Sequence, residues 1–425
     1  MLAPSRAARR GPPRRGAFIG VVMAALTLVY AYAARAGDNG DDESKLTAPK
    51  NDFGIFPVGG GDSDIGVGGG ELSSFSRLAP GHTPYVWSLQ SGAFISFRPD
   101  PQGLQIPYQD YYLKLIIPQL VGDVLRLEVR PSYTRETTQR YYGVGNASIA
   151  PDANGAAPAE QFEYGRIHPT IQVRARLKLA GALYLEVGNS FTYNHLEVPP
   201  GTKLASDLAD PALAHFFGPI EPHAVDIFED ALIFDTRDDE NNPKTGMHHQ
   251  IKLRLSPGGT RSFPYRYGQT NATVRFYLTP GDGPATIALR LVGDVLFGHP
   301  PFYELARYED TFAIGGGKGV RGVPAQRYYG AIKAFGNLET RLALASFHLF
   351  GKPSSLEAAV FVDGGRVWSG WPPDPALDGS GLGLKYGVGG GLRLAEGKAF
   401  VVRGDLAWSP DARPIGGYFT AGHIF

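Results

Sequence analysis

From residue 53 to the end of the chain, apolar and polar side chains alternate with a period of two. After Thr170, the residues Ile171, Val173, Ala175, Leu177 and Leu179 share one face, and Gln172, Arg174, Arg176 and Lys178 share the other. Leu125, Leu127 and Val129 oppose Arg126, Glu128 and Arg130. Further on, Leu338, Thr340, Leu342 and Leu344 oppose Asn337, Glu339 and Arg341, and Leu406 and Trp408 oppose Arg403 and Asp405. This spacing is that of a strand, whose successive side chains point to opposite faces. Such segments predict about sixteen strands, beginning with 53–59 and 64–77, including 160–178 and 331–346, and ending with 416–425. The stretches GGDSD, PDPQG, PGDGP, AEGK and SPDARP read as short turns, and 135–158, 197–224 and 298–330 as longer loops. Short and long connections alternate only roughly in this reading.

A water-soluble sandwich also alternates, but its apolar faces need a partner layer. Here the polar face carries charges of both signs in strand after strand, while the other face is aliphatic and aromatic. Contact with lipid removes the need for a second layer. Apolar side chains facing out and polar ones facing in are the signature of an all-β, transmembrane antiparallel β-barrel. Backbone groups in hydrocarbon must all be paired, so the sheet has to close on itself. No segment after residue 52 reaches the ~18 consecutive apolar residues of a spanning helix.

The first residues follow a different rule. Arg6, Arg9, Arg10, Arg14 and Arg15 precede the uncharged stretch Ala17 to Ala33, and Ala34-Arg35-Ala36 follows as an A-x-A pattern. Basic, apolar and small regions in that order predict a secretory signal peptide over residues 1–36. A single membrane anchor is the alternative, although the apolar stretch is at the short end of the ~17–25 residues that a spanning helix needs. Residues 37–52, GDNGDDESKLTAPKND, are polar and acidic and read as a flexible lead-in to a barrel over 53–425.

Composition narrows the function. The chain of 425 residues has no cysteine, so disulfide scaffolds, thiolate metal sites and cysteine nucleophiles are excluded. Lys and Arg number 41, as do Asp and Glu, which lacks the basic excess of a nucleic-acid binder. The 56 Gly, 24 Phe and 21 Tyr suit many strands and tight turns.

The second half carries a resemblance. FDTRDDENNPKTG (234–246), GGGKGVRGVPAQ, GNLETRL, AAVFVDGGRVW, YGVGGGLRL, VVRGDLAWS and the final AGHIF, in this order, resemble the bacterial surface antigen family. This is the BamA- and TamA-like barrel of the outer-membrane protein 85 superfamily, and residues 225–425 match it best. The resemblance implies a long loop folded into the lumen. Its motif here is Val320-Arg321-Gly322-Val323, with valine where the family usually has an aromatic residue. The implied acidic partners of Arg321 are Glu339 and Asp363, both lumen-facing by the alternation. Tyr418, Phe419, His423 and Phe425 match the aromatic-rich ending of outer-membrane barrels. Well-known members carry periplasmic POTRA domains before the barrel, but residues 37–52 fall short of the ~50 residues a domain needs. A barrel lacking POTRA domains is therefore expected, with a separate periplasmic receptor as a partner. Outer-membrane lipid and lipopolysaccharide are the other expected partners.

Without the resemblance, Arg321 reads rather as a solvated loop arginine on a barrel rim. Pinned inside, its planar donors suit carboxylates bidentately. Other chemistry finds little support. In GGGKG (315–319), Lys318 is followed by glycine rather than Ser or Thr, unlike a phosphate loop. His248 and His249 are adjacent on a strand and so point to opposite faces, which disfavours a shared metal. His195, His348 and His423 have no G-x-S-x-G nucleophile to serve. Asp235, Arg237, Asp238 and Asp239 read as a calcium or lipopolysaccharide site or as a polar turn with a structural ion pair. No catalytic residue, metal or cofactor is expected. The resemblance implies outer-membrane biogenesis, by moving or inserting a polypeptide or lipid in the outer membrane of a Gram-negative bacterium. It also implies a weak seam between first and last strands, with Gly66, Gly68, Gly69 and Gly70 loosening the pairing nearby. A passive channel or structural barrel is the alternative, and an outer-membrane hydrolase a second one.

Overall fold

A computed structural model describes residues 48–62, 65–82, 85–100, 103–149, 159–308, 311–349, 352–396, 400–421 and 423–425. The expected signal peptide and most of the lead-in lie outside these residues. Alternating sequence becomes sixteen long antiparallel strands in one closed sheet. The first four are β1 (Lys50–Asp62), β2 (Gly66–Leu78), β3 (Trp87–Asp100) and β4 (Tyr108–Asp123). Then come β5 (Leu125–Arg140), β6 (Thr170–Ala180), β7 (Leu183–Glu197) and β8 (His223–Asp235). The third group is β9 (Gly246–Pro257), β10 (Arg266–Leu278), β11 (Ala285–Gly298) and β12 (Ile332–Leu349). The last are β13 (Lys352–Trp368), β14 (Lys385–Glu396), β15 (Phe400–Ser409) and β16 (Ala412–Ala421).

Each strand pairs with its sequence neighbour. The longest ladder, β12 with β13, runs from Ile332↔Trp368 to Leu349↔Lys352. The loops 141–169, 198–222, 299–331 and 369–384 all leave odd-numbered strands and so gather at one end, the far end. The turns at 124, 181–182, 236–245 and 279–284 lie at the other, terminal end. The longest connections therefore share one end, although the short ones after β1 and β15 lie there too.

Three expected strands change. β1 starts at Lys50, inside the stretch read as lead-in. The segment 160–178 is interrupted: Glu163–Ile167 and β6 are separated at His168-Pro169, where proline has no N–H to donate. The final strand runs over Ala412–Ala421 rather than to 425. Its Pro414 suggests a turn, but Pro414 falls in a break in the β15 ladder, between Ala407↔Gly416 and Ser409↔Ala412, and has no partner in β1. A proline is tolerated at such an edge.

The sheet obeys the predicted division of faces. Ile251 is 61% exposed, Val360 64% and Leu406 61%, all on the outer wall. Inside, Arg290, Arg341, Arg393 and Arg403 are buried. A soluble domain would show the reverse. At the far end the lumen is closed by a packed cluster in which Tyr141, Tyr164, Leu204, Phe302, Tyr303 and Tyr329 come together from different loops and strand ends.

The wall has one thin join. Among the described residues, β1 and β16 pair only at Gly61↔Phe419 and Asp62↔Tyr418. The expected looseness at Gly66, Gly68, Gly69 and Gly70 lies elsewhere, because β2 pairs with β1 from end to end. Those glycines serve close approach: a Cβ on Gly70 would sit 1.8 Å from the Ala93 carbonyl oxygen.

Val360 lies at the middle of β13, on the lipid-facing side. Val360→Arg is expected to destabilise the barrel by about 2–4 kcal/mol in phospholipid vesicles, measured by urea unfolding. A change near zero would contradict the outward assignment.

Candidate functional site

The site is the point where the loop 299–331 descends into the lumen. A 3-10 turn, Phe302–Ala306, anchors its upper part within the far-end cluster. The chain then turns through Gly315 and Gly316 and presents Val320-Arg321-Gly322-Val323 to the wall. Val320, Arg321 and Val323 have no solvent exposure.

Arg321 uses its whole guanidinium. Nε donates to Asp363 Oδ2 at 2.7 Å and Nη2 to Asp363 Oδ1 at 3.0 Å, a bidentate fork. Nη1 donates to Glu339 Oε2 at 2.8 Å and to Asp405 Oδ2 at 3.2 Å. Its backbone N–H adds a bond to Asp363 Oδ2 at 3.0 Å. The guanidinium carbon lies 3.3 Å from the ring centre of Phe361, a cation–π contact. Burial alone would lower the Arg321 pKa, but Asp363, Glu339 and Asp405 raise it above its ordinary value. The side chain is a fixed cation.

The three carboxylates come from β12, β13 and β15, and each projects inward because its strand neighbours face lipid. Further arginines interlace them. Arg341 Nε donates to Glu339 at 2.8 Å, Arg393 Nη2 to Glu339 at 2.9 Å, and Arg403 Nη1 to Asp405 at 3.2 Å. The resemblance supplied Glu339 and Asp363 as partners but not Asp405. Alternation placed Asp405 on the lumenal face, yet nothing in its spacing shows that β15 brings it to the same guanidinium.

The wall also grips the loop backbone. Arg403 Nη2 donates to the Gly317 carbonyl at 2.6 Å, and Asn337 Nδ2 to that of Gly319 at 2.8 Å. Arg290 Nη2 donates to the Lys318 carbonyl, while its Nη1 donates to the Ile424 carbonyl at 3.2 Å. One side chain thereby holds both the loop and the residues beyond β16. Gly322 has φ of 92°, and a Cβ there would meet the Trp408 backbone at 2.9 Å. Its N–H donates to the Tyr418 hydroxyl at 2.9 Å. Val323 packs with Val292, Ile314, Val320, Phe335 and Val367, with Tyr308 and Tyr328 supplying aromatic bulk.

The residues matched to the barrel ending divide. Tyr418 is buried and lies on β16, where Phe419 also lies, half-buried. His423 and Phe425 lie beyond the strand. His423 Nε2 is 3.0 Å from Asn242 Oδ1, and Phe425 lies 5.1 Å beneath the Arg290 guanidinium.

Other candidates find local partners. His248 faces inward, with its Nδ1 3.0 Å from Arg275 Nη1, whereas His249 meets Phe276 edge-on with ring centres 4.9 Å apart. Arg237 pairs with Asp235 at 2.7 Å, and Asp238 and Asp239 accept backbone N–H bonds of their own turn. His195 on β7, His348 on β12 and His423 lie on separate elements. Among the described residues no group of three potential metal ligands occurs.

Removing Arg321 leaves three buried carboxylates short of a cation. Arg321→Ala is expected to cost about 3–5 kcal/mol and to open the loop to trypsin after Lys318 or Arg327. Arg321→Lys keeps the charge but loses the fork, and should be cleaved at an intermediate rate. Unchanged cleavage in both variants would show that the cluster does not hold the loop.

Comparison with known proteins agrees with this geometry. The Omp85 superfamily domain matches residues 109–425, reaching well upstream of the stretch whose motifs carried the resemblance. Among solved structures, BamA from Haemophilus ducreyi lacking POTRA domains 1–3 is similar with a TM-score of 0.56 and 13% identity, over 88% of this chain and 70% of that one. CdiB from Escherichia coli is similar with a TM-score of 0.52 and 12% identity, over 87% of this chain and 62% of that one. The chain thus spans less than two thirds of CdiB. At these identities the likeness is one of fold. No curated protein sequence matches the chain. The family domain covers most of the length, so this chain belongs to the Omp85 superfamily.

Proposed function

We propose that this barrel resides in the outer membrane of a Gram-negative bacterium and takes part in outer-membrane biogenesis. It does so by moving or inserting a polypeptide or lipid through the join between β1 and β16. Family membership supports the location, with the long loops of the far end outside and the terminal end in the periplasm. The observation that carries the reading is the join itself. A wall held elsewhere by long ladders is held there by Gly61↔Phe419 and Asp62↔Tyr418 alone among the described residues. Opening that edge disrupts fewer backbone bonds than opening any other.

The plugged lumen favours this reading over an open channel. The Arg321 cluster and the far-end cluster both occupy the interior. A separate periplasmic receptor and lipopolysaccharide are the proposed partners.

The chain has no cysteine, so engineered thiols stand alone. Asp62→Cys with Tyr418→Cys places a disulfide across the join. Cells depleted of the native chain and expressing this pair are expected to lose outer-membrane proteins or lipids when the pair is oxidised, and to regain them on reduction. The Tyr418→Cys single variant controls for its lost hydroxyl. Equal outer-membrane inventories in the oxidised and reduced states would refute lateral opening.

A further inference from the structure

A cavity of about 600 Å³ lies in the lumen beside the plug loop. Its size is that of a small-molecule site. Part of its wall is the join: Gly59, Gly60 and Gly61 on one side, Tyr418, Phe419 and Thr420 on the other. A polar chamber therefore stands directly behind the thinnest part of a wall whose outer face meets hydrocarbon.

The lining is charged and unbalanced. Six Lys and Arg side chains face four carboxylates, and two of the six also pair beyond the lining, Arg403 with Asp405 at 3.2 Å and Arg254 with Glu229 at 3.4 Å. Some of these pair with one another: Glu136 lies 3.4 Å from Arg307, and Glu304 3.9 Å from Arg254. Unpartnered groups of both kinds remain: Glu71 Oε2 and Glu304 Oε2 are acceptors without a donor, Arg403 Nε is a donor without an acceptor, and three further donors come from Arg166, Tyr267 and the exposed Lys318. Arg166 gives Nε and Nη2 to Asn194 Oδ1 at 3.0 and 2.8 Å and stacks 3.7 Å from the Tyr303 ring centre. Its Nη1 has no acceptor, although the residue is only 4% exposed. The Tyr267 hydroxyl, on a residue 5% exposed, also has none. Lys318 lines the same cavity from the plug loop, and its ammonium has no ion-pair partner among the described residues. An unpaired buried donor is costly unless something accepts from it.

We propose that this chamber binds the phosphate-bearing headgroup of a net-anionic membrane lipid, one with no cationic group of its own beside the phosphate, with the acyl chains leaving between β1 and β16. Phosphate offers several acceptor oxygens and negative charge to an ammonium, a guanidinium and a phenol. A soluble anion would satisfy the donors but make no use of the join. An amphiphile uses both, since its head needs a polar chamber and its tails need the hydrocarbon outside the same wall. A neutral polypeptide backbone offers no negative charge to the Lys318 ammonium. Lys318 thus acquires a role in GGGKG without any strand–loop–helix phosphate loop. The inference rests on the transport reading and names its substrate class.

The test is native mass spectrometry of the full chain released from detergent micelles. Micelles are doped with phosphatidylglycerol or with phosphatidylcholine of the same acyl chains. One phosphatidylglycerol should be retained per barrel, with a preference of about tenfold, as expected for a single charge-assisted contact. Lys318→Glu, on an exposed side chain that leaves the fold intact, should remove the preference. Phosphatidylglycerol added after oxidation of the Asp62→Cys/Tyr418→Cys pair should not be retained. Equal retention of both lipids by the native chain, or no effect of Lys318→Glu, would overturn the proposal. So would displacement by inorganic phosphate irrespective of the acyl chains, which would identify a soluble anion. Preferential retention of an extended acidic peptide would overturn it in favour of a polypeptide. If join closure abolishes biogenesis in cells while phosphatidylglycerol is not retained, the transport reading stands and this inference alone fails.

Discussion

Hydrocarbon offers no hydrogen-bond partners, so every backbone N–H and C=O in the wall must find one in another strand. That requirement curls sixteen strands into a closed sheet and leaves two surfaces with opposite solvents. Leu338 and Val362 meet lipid, and one residue further along each strand Glu339 and Asp363 enter the lumen. Because the period is two, a strand cannot place apolar residues outside without placing its alternate residues inside. The charged interior is therefore a consequence of the greasy exterior, and it needs internal compensation.

Compensation takes the form of interlocked ions. Arg321, Arg341, Arg393 and Arg403 share Glu339, Asp363 and Asp405, so the loop and four strands are tied into one unit. Tyr418 extends that unit to the join. Its backbone position pairs with Asp62 across the thin edge, its hydroxyl accepts from Gly322, and its ring borders the chamber. One residue thus touches both the join and the plug loop. Arg290 makes a second link, from the Lys318 carbonyl to the chain beyond β16.

The architecture was legible where chemistry repeats. Alternation around Thr170, Ile332 and Phe400 is enough to assign faces, and closure follows from the lipid. Strand ends were less legible. Pro414 looks like a turn residue, and only the break in its ladder and the open edge explain its place in β16. The motif residues 320–323 were found by resemblance, as were Glu339 and Asp363. Asp405 is legible only as an inward-facing residue, and the structure turns Arg290 inward in the same way. Their partners are fixed by the stagger of a closed sheet and by loop carbonyls, neither of which leaves a mark in residue spacing. The glycines of β2 drew attention to the correct corner of the barrel but to the wrong edge of β1. The motif around Lys318 does not fit a phosphate loop, and only the cavity it borders shows what the side chain faces.

The central claim is a closed sheet with one weak edge, and hydrogen–deuterium exchange of the full chain in phospholipid nanodiscs tests it most directly. The account predicts that amides in β12 and β13 stay protected for hours, while those of β1 and β16 facing each other exchange much faster. Uniform protection around the whole wall would contradict it.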